Sequence, residues 1–169
     1  MPPQDSRKKR LFTYTSFSNE LDSINIRILR ELEEDPRLSM SALGRRIGMS
    51  SPAVTERVRR LEGAGIIQGY CLKLNPRALG LPIAAYIRIR PNPGYLPKII
   101  ELAQDVPEVV ECHRVTGEDC LIMKVCIPSI DQLSSLVDLF LLYGSTTTSL
   151  IQSSPIPPRL PPLPSLLEE

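Results

Sequence analysis

Between residues 22 and 34, apolar positions return as Ile24, Ile28, Leu29 and Leu32 beside a charged face of Arg27, Arg30, Glu31 and Glu34. That spacing predicts a helix, and Asp35-Pro36 stops it because the residue before a proline is pushed out of the α region. A second helix is expected to begin near Ser39 or Ser41, to turn Leu43 and Ile47 inward, and to close at Gly48. Only Gly48-Met49-Ser50 separates it from a third, in which Ser51 is placed to cap and Pro52 occupies the first turn, where its missing N–H costs nothing. Val54, Val58 and Leu61 line one face of this third helix. At about 100° per residue, the opposite face holds Pro52, Thr55, Glu56, Arg59 and Arg60. Gly63 and Gly65 end the helix, and residues 66–74 alternate as a short strand pair or wing that Asn75-Pro76 closes.

Beyond residue 82 the period falls to two. Residues 83–90 place Ile83, Ala85, Ile87 and Ile89 on one side and Tyr86, Arg88 and Arg90 on the other, which predicts a strand. Pro97 opens a helix carrying Ile99, Ile100 and Ala103, and Asp105-Val106-Pro107 ends it. Strands over 109–115 and 120–127 flank the turn Thr116-Gly117-Glu118-Asp119. A helix through Leu133, Leu136, Val137 and Phe140 and a last strand over 146–151 complete the series. Strand, helix, strand, strand, helix, strand is a split βαβ order, an antiparallel sheet with both helices on one face. The bare face needs a cover, and a second copy of the chain supplies one, so at least a homodimer is expected.

The expected fold class is therefore α+β: a winged helix-turn-helix over residues 21–75, a linker over 76–82 and a ferredoxin-like βαββαβ domain over 83–152. Residues 1–20, with the run Arg7-Lys8-Lys9-Arg10, read as a flexible basic arm. Residues 153–169 form a tail with prolines at 155, 157, 158, 161, 162 and 164, which cannot continue a sheet and favour polyproline II or disorder.

A net charge of +1 conceals an asymmetry. Residues 1–80 carry 14 Lys and Arg against 9 Asp and Glu, a balance of +5, whereas residues 81–169 carry 6 against 10, a balance of −4. The basic half is the one suited to phosphate. Three helices with a tight turn between the second and third, followed by a ribbon, is the geometry that inserts a helix into the DNA major groove. Arg45, Arg46, Arg59 and Arg60 are candidates for phosphate contacts, with Arg57 in the same cluster. Ser51, Pro52, Thr55 and Glu56, on the leading turns of the third helix, are candidates for base edges. One of these arginines is also placed to pair with Glu62.

The remaining chemistry is sparse. Cys71, Cys112, Cys120 and Cys126 make no C-x-x-C pair and no zinc spacing, and are expected to be buried, reduced thiols. The single histidine, His113, has no catalytic set around it, so neither enzymatic activity nor a metal or cofactor is expected. No apolar run approaches the ~18 residues that span a bilayer. With no secretory apolar stretch at the start, a cytoplasmic, nucleoid-associated protein without membrane contact is expected.

The segments Leu21-Asp22-Ser23-Ile24-Asn25-Ile26-Arg27-Ile28-Leu29, Leu43-Gly44-Arg45-Arg46-Ile47-Gly48-Met49-Ser50 and Val58-Arg59-Arg60-Leu61-Glu62-Gly63-Ala64-Gly65-Ile66-Ile67-Gln68-Gly69-Tyr70 carry a family resemblance, joined by Glu111-Cys112-His113-Arg114-Val115-Thr116-Gly117-Glu118-Asp119-Cys120. Across residues 21–151 the chain resembles the leucine-responsive and asparagine-synthase regulators, the Lrp/AsnC family. The resemblance implies a DNA-binding front and a ferredoxin-like domain that dimerises through its sheet, with further assembly into tetramers, octamers or hexadecamers. It also implies an amino-acid effector between neighbouring dimers, near Thr116, Gly117, Glu118, Asp119 and Cys120. Where many members have a Gly-x-aromatic-Asp order, this chain has Gly117-Glu118-Asp119-Cys120, and Leu142-Tyr143-Gly144-Ser145 replaces the Pro-Gly turn usual before the last strand. The leading reading is an oligomeric, sequence-specific DNA-binding transcription regulator modulated by an amino acid or related metabolite. Two others stay open: a metabolite-binding module that docks a protein without specific DNA binding, and an effector-independent architectural repressor.

Overall fold

The computed structural model describes residues 21–164, and these fall into two compact units that divide between Leu72 and Lys73. The first unit is built from α1 (Ser23–Glu34), α2 (Met40–Ile47) and α3 (Ser51–Gly63). Asp22 caps α1 by accepting from the Asn25 amide at 2.7 Å, and Ser39 caps α2 by accepting from the Ala42 amide at 3.2 Å. Each satisfies an amide that has no partner inside its helix. The expected cap of α3 moves by one residue: Ser50 holds the extended cap position and Ser51 is already helical. Ile28, Leu32, Leu43, Ile47, Val54, Val58 and Leu61 form the core of the unit, so every residue assigned inward on the second and third helices is buried. Gly44 makes the turn between them possible, since a Cβ there would lie 2.6 Å from the Met49 carbonyl oxygen.

The wing is not formed as a strand pair. Residues 68–75 carry no strand, and the alternating Leu72 and Leu74 are exposed, Leu72 at 86%, with Tyr70 about half-exposed. Alternation supplies the two faces of a strand but no partner, and among the described residues no second strand pairs with this stretch.

The second unit opens with a 3-10 turn, Pro76–Leu79, and continues as β1 (Ile83–Pro91), α4 (Leu96–Asp105), β2 (Val109–Arg114), β3 (Leu121–Ile127), α5 (Ile130–Leu141) and β4 (Gly144–Leu150). The sheet order is β2-β3-β1-β4 with every pairing antiparallel, the expected ferredoxin-like topology. Ala85, Ile87 and Ile89 on β1 and Leu121, Met123, Val125 and Ile127 on β3 share one face and pack with Ile99 and Ala103 of α4 and Leu133, Leu136 and Phe140 of α5. Gly144 begins β4 where a side chain would run into the Arg90 carbonyl, which explains a glycine in the turn that lacks the family's proline.

The uncovered face is polar. On it lie Tyr86, Arg88 and Arg90 from β1, Lys124 from β3, and Glu111 and His113 from β2, the last two joined at 2.5 Å. Two of the four cysteines depart from the expectation of burial. Cys126 is buried and Cys120 half-buried, but Cys112 is exposed on β2, an edge strand, and Cys71 is exposed in the irregular stretch. Among the described residues no helix is long and apolar enough to cross a membrane, and no cluster of His, Cys, Asp and Glu is suited to a metal ion.

Candidate nucleic-acid interface and effector turn

The outward face of α3 carries Pro52, Glu56, Arg59 and Arg60, all exposed, with Ser51 and Thr55 half-buried beside them. Arg59 is 74% exposed, which leaves its guanidinium free to reach past the helix surface. Both arginines turn back toward Glu56, at 3.6 Å from Arg59 and 3.2 Å from Arg60, so Glu56 takes the role expected of Glu62. Glu62 accepts instead from the Tyr70 hydroxyl at 3.3 Å, and burial, with the Glu62 charge, pushes that phenol above its ordinary range. The Thr55 hydroxyl donates to the Ser51 carbonyl at 2.8 Å, which commits its proton but leaves its lone pairs able to accept. On α2, Arg45 is exposed, and Arg46 reaches Glu31 of α1 at 2.8 Å.

Arg57 is a different kind of residue from the arginines around it. Its Nη1 donates to Asp22 at 2.6 Å and to the side-chain oxygen of Asn25 at 3.0 Å, tying the middle of α3 to the start of α1. Asn25 is buried, at 4% exposure, and it is the one buried polar residue among those described. Partial burial pushes the Asp22 carboxyl up, but the Arg57 hydrogen bond and the Asn25 amide outweigh it and hold the group below its ordinary 3.8. A carboxylate whose pKa is depressed on folding stabilises the fold above its ordinary pKa and stops doing so as pH falls through the lowered value. Asp22→Ala is therefore expected to cost the first unit about 1 kcal/mol near neutral pH, through the lost cap. In urea unfolding followed across pH, the margin of the parent over this variant is expected to narrow as pH falls below 3.8.

The turn between β2 and β3 is closed by the Val115 amide donating to the Cys120 carbonyl at 2.9 Å. Gly117 there has φ +115°, a region that side chains rarely adopt, and open space lies where its Cβ would be. A ligand can thus approach the backbone without obstruction. Thr116 and Glu118 are exposed, and Asp119 and Cys120 are half-buried. Glu118 is paired with Arg90, and Asp119 lies 4.0 Å from Arg88. These arginines were recognisable in the sequence only as the outward side of a strand; their place beside the turn comes from the register of β1 against β3.

Comparison with known proteins agrees with both units. The AsnC-type helix-turn-helix domain matches residues 21–62, and the Lrp/AsnC ligand binding domain matches residues 84–161. The transcriptional regulator LrpC of Bacillus subtilis is 35% identical over 134 residues, 79% of this chain and 93% of that protein. Its solved structure superposes with a TM-score of 0.75, covering 79% of this chain and 95% of LrpC. The leucine-responsive regulatory protein of Escherichia coli is 37% identical over 122 residues, 70% of this chain and 74% of that one. A Neisseria meningitidis transcriptional regulator solved as a complex with L-Met is 28% identical, with a TM-score of 0.76 over 83% of this chain and 96% of its own. With the helix-turn-helix ahead of the ferredoxin-like sheet and both matched in order, the chain belongs to the Lrp/AsnC family of DNA-binding transcription regulators.

Proposed function

We propose that a homodimer, or a higher assembly of it, sets its α3 helices into successive major grooves of an operator, and that an amino acid held at the turn of residues 116–120 shifts the assembly. Arg45, Arg46, Arg59 and Arg60 contact phosphates, while Ser51, Pro52, Thr55 and Glu56 meet base edges. The observation that carries this reading is the outward face of α3, where charged and short polar side chains stand clear of a complete core behind them. The domain limits of residues 21–75 and 83–152 suit it, with the linker of 76–82 between them. Self-association is supported by the bare polar face of the sheet and by the exposed Tyr70, Leu72 and Leu74. The chain acts by binding and not by catalysis, at the nucleoid in the cytoplasm, in keeping with relatives that are transcriptional regulators.

The test is a fluorescence-anisotropy titration of the chain against its own upstream DNA at several salt concentrations, with and without L-methionine and the other common amino acids. Binding is expected to weaken steeply as salt rises, because each neutralised phosphate releases counterions. Arg59→Ala and Arg60→Ala should each lower the slope of log K against log salt by about 1. Affinity no better than for a scrambled duplex would overturn the DNA-reading assignment and favour the protein-docking module. One observation favours the effector-independent repressor as a second reading: Glu118 and Asp119, the groups an effector ammonium would meet, already face Arg90 and Arg88. Gly117→Val separates the two, since it should abolish any amino-acid response and leave DNA affinity in place; a response that survives it removes the turn from the effector site.

A further inference from the structure

The proline-rich tail does not behave uniformly. Residues 152–162 are exposed, but Leu163 and Pro164 become half-buried, and the chain from Pro158 belongs with the helix-turn-helix unit and not with the sheet it follows. Arg30 of α1 donates through Nη2 to the Pro164 carbonyl at 3.5 Å, across 134 residues of sequence. Ile26, one turn before Arg30 on the same flank of α1, is only 5% exposed although it lies outside the helical core of the unit. We propose that residues 158–164 form a strap whose end, Leu163 and Pro164, seats on the Ile26 and Arg30 flank of α1 and so adds a further segment of chain to the DNA-binding unit.

The chemistry of the segment suits the seat. Polyproline II has no internal hydrogen bonds, so its carbonyls are free to accept from a guanidinium, and its stiffness leaves little entropy to lose on docking. Leu163, half-buried where the tail reaches α1, gives it an apolar side chain to lay beside Ile26. A strap on α1 braces the helix that Arg57 ties to α3, so its loss is expected to weaken the hold of α3 on DNA.

The docking can be tested without DNA. A variant ending at Ser154 keeps both hydrophobic cores, since neither includes a residue beyond Tyr143. A fluorescein-labelled peptide of residues 155–169 should bind this variant saturably, about tenfold more weakly after Arg30→Ala, as expected for a lost hydrogen bond to a charged group. It should bind the whole chain poorly, because the seat is filled. No saturable binding, indifference to Arg30→Ala, or equal binding to the whole chain would overturn the strap. The effect on DNA rests on the proposed function above. On a duplex with two half-sites, the shortened chain and Arg30→Ala are each expected to bind more weakly, and the double variant no more weakly than the shortened chain alone. Additive losses would make Arg30 a phosphate contact and overturn the strap's role in DNA binding. Absence of DNA binding by the unaltered chain would refute the DNA reading and leave the peptide result to decide the docking.

Discussion

Gly44→Ala is expected to unfold or displace the helix-turn-helix while leaving the sheet domain intact. Alanine is the better helix former, worth up to about 1 kcal/mol over glycine inside a helix. That gain is outweighed because the new methyl would sit 2.6 Å from the Met49 carbonyl oxygen, a backbone atom that cannot rotate aside. Overpacking of this kind costs about 1–3 kcal/mol, and for a unit of this size that is a large part of the whole stability. Hydrogen exchange should show α2 and α3 losing protection together, and DNA affinity should fall in parallel. Amides of β1 and β3 should be unaffected, because their core shares no residue with that of the helices. Unchanged protection in α2 would mean that the turn has room the structure does not show.

Phe140→Ala should be as damaging on the other side. Its ring is fully buried, and it is the largest fully enclosed side chain among the described residues, between α5 and the sheet. Truncations of this type cost about 3–5 kcal/mol, and in a domain of this size each kcal/mol lowers the melting midpoint by roughly 4–8 °C. Calorimetry should place the loss in the sheet unit. Size-exclusion chromatography should report weakened self-association alongside it, if that unit carries the contacts between copies. Phe140→Leu, which keeps most of the volume, should cost far less, and a midpoint within a few degrees of the parent for the alanine variant would contradict the packing described here.

Much of this architecture was legible because burial imposes a period. The second and third helices, the three buried positions of α3, the strand β1 and the βαββαβ order all follow from spacing and from proline and glycine stops. What escaped depended on neighbours distant in sequence. Nothing near Asn25 marks it as buried, nor as the acceptor for Arg57, which reaches across from α3. Residues 66–74 alternate convincingly, yet alternation does not specify a partner strand, and the stretch stays irregular. Cys112 lies in a strand that is exposed because it is an edge, a property of sheet order and not of local composition. The exposed residues of α3 were legible as a set, but the pairing of Arg59 and Arg60 with Glu56, four residues or fewer away, competed with the equally plausible Glu62, and rotamers decided it.

That pairing bears on how such a regulator finds its operator. A genome offers millions of wrong duplexes for every right one, all with the same phosphates. If Arg59 and Arg60 meet phosphates as proposed, they grip any backbone less firmly than bare arginines would, because each contact must first compete with Glu56. With the contacts proposed above, the grip would tighten where the bases give Glu56 a better use, such as accepting from a cytosine amino group, and release both arginines to the backbone. On the proposed reading, a single carboxylate on α3 would thus shorten the time spent on wrong sequences and tie the strength of the hold to the identity of the site.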